Sequence, residues 1–267
     1  MTCCVSDIIQ VIEKLAPAEL AAAWDNSGLQ VGDGAWSVQL IWVALDPLPE
    51  VVSRACEANV DMLVTHHPLI FKPFRRLDMA TPDGATIAWA VQHQLAIFSA
   101  HTNLDAVKGG TNDMLASKIG LKDVTSLDFS SDEGVHNLGR IGRLPKETTL
   151  MSLALQLKQT LGIDSLKIAG RSNLIIRNAF ICSGSGSSLL PEFIRSGADV
   201  FISGDLKYHD ARAIEAAGKG LVDIGHFASE RVMIEVLSTQ LSRLLKGSGK
   251  AIAVEPYLFE KDPFVMI

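Results

Sequence analysis

Cysteine is scarce in this chain, and the patterns that would turn it into a covalent framework are missing. The four cysteines, Cys3, Cys4, Cys56 and Cys182, form no CxxC pair and no disulfide spacing. Cys56 and Cys182 fall in apolar periodic segments, where a reduced thiol acts as a small hydrophobe, so a reducing compartment is expected. No run approaches the roughly 18 apolar residues of a membrane span. Met1 to Lys14 has no basic stretch followed by an apolar one, because Asp7 and Glu13 interrupt it. The expectation is a cytoplasmic protein with no membrane partner. Positive charge is not in excess either. The net charge of −6 argues against a nucleic-acid surface unless the loop with Lys72, Arg75 and Arg76 supplies a local one. There is no GxGxxG, no GKS or GKT and no GxSxG, which weighs against a pyridine-nucleotide fold, a P-loop and a serine hydrolase. The Gly/Ser stretch from Ser183 to Ser188 therefore reads as a strand-to-helix turn.

What is present points to alternating strands and helices. A chain of 267 residues with 48% hydrophobic content is long enough for one large core or two moderate ones. The spacing of Ile8, Ile9, Ile12 and Leu15 predicts a helix that starts at Ser6-Asp7 and ends at Pro17. A second short helix is expected over Ala18 to Ala23, then a turn from Trp24 to Gly32, in which Trp24 is either a core anchor or a binding residue. Apolar runs at 40–45, 60–64, 95–99, 140–144, 166–169, 179–182, 198–203 and 221–224 read as strands, with a closing strand near 251–254. Helical stretches lie between most of them. One, from Thr148 to Leu161, is capped by Gly162, and another runs from Ser229 to about Leu245. The Ser/Asp/Gly-rich segment 122–139 is the candidate linker. The resulting expectation is an α/β fold of two linked, three-layer α/β/α halves with parallel or mixed sheets. The first half would cover 1–125 and the second 126–267, with the C-terminal helix and strand packing back on the first.

Histidines gather where the strands end. Thr65-His66-His67-Pro68 follows one buried run, and His101 with Asp105 follows another. Gly204-Asp205, with His209 just beyond, follows a third, and His226 with Glu230 a fourth. His93 and His136 lie elsewhere, and read as helix-surface and loop residues. Ile41 to Thr65 overlays Ala179 to Ser203 without a gap, placing Asp61 on Asp199 and His66-His67 on Gly204-Asp205. Segment 97–100 overlays 222–225, placing His101 on His226 and Asp105 on Glu230. The halves thus read as duplicates, facing one crevice with four strand ends. So many imidazoles and carboxylates exceed a closed structural zinc site. They suit two divalent ions about 3.5–4 Å apart that activate a water. Mixed nitrogen and oxygen ligands do not choose among zinc, manganese, iron and cobalt.

Five stretches taken together resemble a known family. They are Trp24-Asp25-Asn26-Ser27-Gly28-Leu29-Gln30-Val31-Gly32, Thr65-His66-His67-Pro68-Leu69-Ile70-Phe71, Ser99-Ala100-His101-Thr102-Asn103-Leu104-Asp105, Ser203-Gly204-Asp205-Leu206-Lys207-Tyr208-His209 and Gly225-His226-Phe227-Ala228-Ser229-Glu230. In this order they resemble the YbgI-like dinuclear metal centre family, whose members are often labelled GTP cyclohydrolase 1 type 2 homologues. The resemblance implies metal ligands His66, His67, Asp105, His226 and Glu230, with Glu230 bridging two divalent ions. It gives His101 a place beside the site, as a group supporting a ligand or as a proton donor. It also implies a ring-shaped homohexamer and hydrolysis of a nucleotide or related small molecule. The cyclohydrolase version would be hydroxide attack at guanine C8 with release of formate, with His101 or His209 moving protons. Asp25, Asn26 and Lys207 are placed to hold base or phosphates. The alternatives are a metal-binding or delivery protein, a scaffold without turnover, or a metal phosphodiesterase on nucleic acid. Some family members carry an inserted middle domain for which this chain is too short.

Overall fold

A computed structural model describes residues 3–126, 129–131, 134–136 and 138–265. In chain order it opens with α1 (Val5–Leu15), β1 (Gly28–Val31), β2 (Leu40–Ala44), α2 (Pro49–Glu57) and β3 (Met62–Thr65). Then come α3 (Pro82–Gln92), β4 (Ala96–Ser99), α4 (Thr102–Ala106), α5 (Thr111–Lys118) and β5 (Lys122–Ser126). A hairpin of β6 (Phe129–Ser131) and β7 (Gly134–His136) leads to β8 (Arg140–Thr149), α6 (Leu150–Leu161), β9 (Lys167–Ala169) and β10 (Ile175–Ser185). The remainder is α7 (Leu190–Arg195), β11 (Val200–Gly204), α8 (Tyr208–Ala216), β12 (Gly220–Asp223), α9 (His226–Glu230), α10 (Val232–Gly247) and β13 (Ala253–Pro256). Among the described residues no helix is long and apolar enough to cross a membrane.

The chain divides into two compact units. One comprises Met1–Val107 with Met233–Glu260, and the other Lys108–Val232 with Lys261–Ile267. The first unit holds a five-stranded sheet of order β1-β4-β3-β2-β13, in which only the β1–β4 pair is antiparallel. Strands β3 and β4 are buried at every residue, as parallel strands covered on both faces must be. Val51, Val52 and Ala55 of α2 and Ile87 and Ala90 of α3 pack with Ala44, Leu63 and Ile97 on one face. β13 adds to β2 in parallel, with Val254 opposite Ile41.

The second unit holds a six-stranded mixed sheet of order β5-β8-β10-β11-β12-β9. Here the period of two in a strand is directly visible. Ala179, Ile181, Val200, Ile202 and Val222 join the helices α5 and α6 in one apolar cluster. The alternate residues Phe180, Cys182, Phe201 and Leu221 join Phe193 of α7 and Ile214 of α8 in another. This unit is a three-layer α/β/α body.

The structure moves several boundaries. α1 starts at Val5, because Cys4 and Asp7 cap it together, the Asp7 carboxylate accepting from the Cys4 amide at 3.0 Å. The expected second helix is a 3-10 turn over Ala18–Leu20. The turn from Trp24 to Gly32 contains β1, a strand whose exposed pattern hides it from any apolar count. The segment taken as a linker is largely strand, and His136 falls in β7 rather than a loop; residues 127, 128, 132, 133 and 137 lie outside the described set. β5 pairs antiparallel with β8, and its polar side chains face outward, which is why composition alone reads as a tether. The units part at Val107/Lys108 rather than at 125/126, since Leu115 and Ala116 of α5 pack in the second unit's core and β5 joins its sheet.

The two units repeat one local design. Ile41 stands opposite Met62 and Ala179 opposite Val200, the same parallel register in both. Asp61 accepts from the amides of Gln39 and Leu40 at 2.7 and 2.9 Å. Asp199 accepts from those of Arg177 and Asn178 at 2.8 and 2.9 Å. The second overlay slips by one residue. Thr65 pairs with Ser99 and Ser203 with Asp223, so Ser99 corresponds to Asp223. One residue then precedes His101, whereas Ile224 and Gly225 precede His226, and Gly225, with φ of +84°, absorbs the extra step.

Candidate metal centre

In the first unit, the ends of β3 and β4 bring three imidazoles together. His66 and His67 follow β3 directly, and His101 caps the N-terminus of α4. The ring centroids of His66 lie 5.1 Å from His67 and 5.2 Å from His101, and those of His67 and His101 are 5.6 Å apart. One ligand nitrogen of each lies within 4.8 Å of the others. Asp105, one helical turn beyond His101, places Oδ1 3.6 Å from His66 Nε2. Hydroxyls hold the backbone of the pair: Thr65 Oγ1 donates to the His67 carbonyl and Ser99 Oγ to the His66 carbonyl, both at 2.7 Å.

In the second unit, His226 opens α9 and Glu230 lies one turn later on the same helix. His226 Nε2 stands 3.0 Å from Glu230 Oε2. Glu230 is buried and lies against Gly184, where β10 bends with φ of +62°. A Cβ at Gly184 would come within 2.3 Å of Glu230 Oε1, so only glycine admits the carboxylate there. The Gly184 amide donates to Ser229 Oγ at 2.8 Å, and Ser229 in turn donates to the His226 carbonyl at 2.7 Å.

Each of the four histidines commits the same nitrogen to the protein. Nδ1 meets the Ala100 carbonyl in His66 (2.9 Å), Asp46 in His67 (2.8 Å), Asp25 in His101 (2.7 Å) and Asp205 in His226 (2.8 Å). A carbonyl can only accept, so His66 carries its proton on Nδ1 and turns the Nε2 lone pair toward the Asp105 carboxylate. The carboxylate partners favour the same tautomer in the other three. This is the outer support that metal-ligating imidazoles receive: it fixes the ring, fixes the tautomer and raises the basicity of Nε2. In His226 the Nε2 lone pair then faces a carboxylate oxygen at 3.0 Å, an arrangement that requires a cation between them, either a proton or a metal ion. Nitrogen and carboxylate donors, a tautomer set for coordination and crowded anionic oxygens together fit a divalent ion. The donors in the first unit are His66, His67, His101 and Asp105; those in the second are His226 and Glu230.

Asp25 has a supporting role rather than a substrate-holding one. Its side chain is buried, and Oδ2 accepts from the Thr102 amide and hydroxyl and from Ser27 Oγ while Oδ1 holds His101. Burial alone would raise its pKa. The hydrogen bonds from His101 and Thr102, the charge of His101 and the bond from Ser27 outweigh that and hold the carboxyl well below the usual carboxylate range. A depressed folded-state pKa contributes stability above the unfolded value near about 4 and loses it as pH falls through the folded one. Asp25→Asn is therefore expected to cost about 1–3 kcal/mol at neutral pH. The gap in Tm between wild type and variant should narrow below about pH 4. Thermal unfolding at pH 7 and pH 3 measures both, and an equal gap at the two values would contradict this role.

Other expected residues are placed elsewhere. Asn26 Nδ2 donates to the Ile70 carbonyl at 2.6 Å and to Gln30, tying down the loop after His67. Lys207 and His209 are exposed, the His209 ring lying edge-on to Tyr208 at 5.3 Å. Gly186 packs where a Cβ would meet Ser203 Oγ, so the Gly/Ser stretch serves close packing rather than a phosphate cradle. His93 is exposed at the end of α3. Trp24 is 53% exposed, which excludes the core-anchor role, and contacts the rings of His101 and Phe71 at 6.0 and 6.1 Å. Asp46 and Glu260 were not singled out from sequence. Asp46 supports His67, and Glu260 accepts from the amides of Leu45 and Asp46 at 2.8 and 2.7 Å. The one sequence signal for Asp46 was its position at the end of a strand beside the one that delivers His67.

Comparison with known proteins identifies the family. The model of the family Duf34/NIF3 (NGG1p interacting factor 3) matches residues 3–263. The chain belongs to the Duf34/NIF3 family. A relative from Clostridium perfringens, named GTP cyclohydrolase 1 type 2 homolog, is 34% identical over 98% of this chain and 99% of its own. A protein of the same name from Streptococcus pneumoniae is 32% identical over 97% and 98%. The crystal structure of Staphylococcus aureus hypothetical protein SA1388 superposes with a TM-score of 0.93 at 31% identity, covering 100% of both chains. The five sequence motifs thus point to the family that the whole chain matches.

Proposed function

We propose that this Duf34/NIF3 protein is a divalent-metal-dependent hydrolase with a dinuclear centre, acting in the cytoplasm on a nucleotide or related small molecule. His66, His67, Asp105, His226 and Glu230 would hold the ions. The observation that carries this reading is the common use of Nδ1 by all four histidines, which leaves Nε2 of each disposed for coordination. Bound divalent ions would supply Lewis acidity and lower the pKa of a water near neutral pH.

The chain's own groups supply the rest. His101, oriented by the buried Asp25 through Nδ1, presents an Nε2 lone pair that takes a proton from the reacting atoms and returns it. Trp24 and Phe71 offer exposed ring faces beside His101 that suit a planar substrate. The relatives' name, GTP cyclohydrolase 1 type 2 homolog, supports hydrolytic opening of a guanine ring with loss of formate as one version of this chemistry. We also read the two units as copies of one design, supported by the repeated register and aspartate hooks. Assembly into a ring-shaped homohexamer belongs to the same reading.

The test is a turnover screen of metal-loaded protein with GTP and other nucleotides, pterin precursors and phosphodiesters, following formate and phosphate. Chelator-sensitive release of either supports hydrolysis and assigns its class. Silence across the panel by fully loaded protein would replace hydrolysis with metal storage or delivery.

A further inference from the structure

The second unit's Glu230 lies inside a recognised motif, whereas Glu260 in the first unit lies in a tail that no motif covers. It follows β13 by four residues, yet it is buried, only 6% exposed. β13 runs along β2, and the Tyr257 amide donates to the Val43 carbonyl at 2.8 Å. The Glu260 carboxylate then takes the next two amides, Oε2 from Leu45 and Oε1 from Asp46. A buried carboxylate accepting two backbone amides is an expensive and specific arrangement.

The two residues that it grips determine the His pair. The Leu45 carbonyl accepts from the amides of His66 and His67 at 3.2 and 3.0 Å, and the Ala44 carbonyl from His66 at 3.3 Å. Asp46 Oδ1 holds His67 Nδ1. Both the backbone that presents the pair and the carboxylate that orients His67 therefore hang on a segment fixed by Glu260.

We propose that Glu260 is a positioning residue for the His66–His67 ligand pair, acting through the Leu45-Asp46 backbone. This rests on the metal reading of the site. Supporting residues around metal ligands change affinity about 10–100-fold when removed, and Glu260→Ala is expected to weaken Zn²⁺ or Mn²⁺ binding by about that factor. Glu260→Gln keeps one acceptor and should fall between the two.

Chelator competition with Zn²⁺ and with Mn²⁺ measures affinity. Nitrogen NMR of the histidine rings in metal-free protein measures position, with His101, held by Asp25, as the internal reference. The expected result is a weakened metal site and a His67 signature shifted from the Nδ1-protonated form, with His101 unchanged. Wild-type affinity and an unchanged His67 signal in Glu260→Ala would overturn the proposal even if His67→Ala abolishes binding. If Glu260→Ala does not fold, the same readings on Glu260→Gln decide it. If the wild type binds no metal, the metal reading fails by itself. The His67 signal then still tests Glu260: a shift in the variant supports positioning and its absence refutes it.

Discussion

Gly184→Ala is expected to cost the protein both stability and metal. The backbone there has φ of +62°, a region in which a side chain costs about 1–2 kcal/mol. The added methyl group would also meet Glu230 Oε1 at 2.3 Å and Glu230 Cδ at 3.3 Å, with His226 Cε1 at 3.5 Å. Glu230 is buried, so it cannot swing aside into solvent. The methyl must displace the carboxylate, the bend in β10, or both. Metal affinity should fall by about 10–100-fold, the range for disturbed ligand support, and Tm should drop. Chelator competition and thermal unfolding report the two effects separately. A variant with wild-type affinity and Tm would show that the close approach of strand and carboxylate does not constrain the site.

Glu230→Ala should remove at least one metal ion per chain and reduce any hydrolysis to background, with the fold retained. The carboxylate is the partner of His226 Nε2 and lies one helical turn from it on α9, so its removal leaves the second unit with one donor of its pair. Glu230→Gln keeps the volume and removes the charge. It separates the loss of an anionic ligand from the opening of a cavity, because only the former is common to both variants. Metal analysis and far-UV circular dichroism on the two proteins give the result. Hydrolysis that survives in both would make the ions structural.

The core of the fold was readable because its strands are buried throughout and apolar up to a polar residue near the end. β3, β4, β11 and β12 are buried at every residue, and a buried parallel strand leaves an unbroken hydrophobic run in the sequence. The polar strands were not readable. β1 exposes Leu29 and half-buries Gln30, β5 carries Lys122 and Asp123 outward, and pairing with a neighbour, not composition, makes them strands. The ligand candidates stood out because histidine and acid recur at strand ends, and His-x-x-x-acid becomes one face of a single helical turn in α4 and α9. Their supports were only half legible. Asp25 and Asp205 stood in the motifs without their roles, whereas Asp46 and Glu260 are ordinary acids in the sequence, and each of the four meets its imidazole or amides through residues distant along the chain. Asp205 stands where the first unit has His67 and orients His226 instead of joining the donors. The Gly/Ser stretch read correctly as a strand-to-helix turn, since it joins the end of β10 to α7.

The measurement that tests the central claim most directly is the divalent metal content of the purified protein, determined by elemental analysis after dialysis. The dinuclear reading predicts about two ions per chain, falling to about one or none in Glu230→Ala. A protein that takes up no divalent ion with all five ligand residues intact would contradict it.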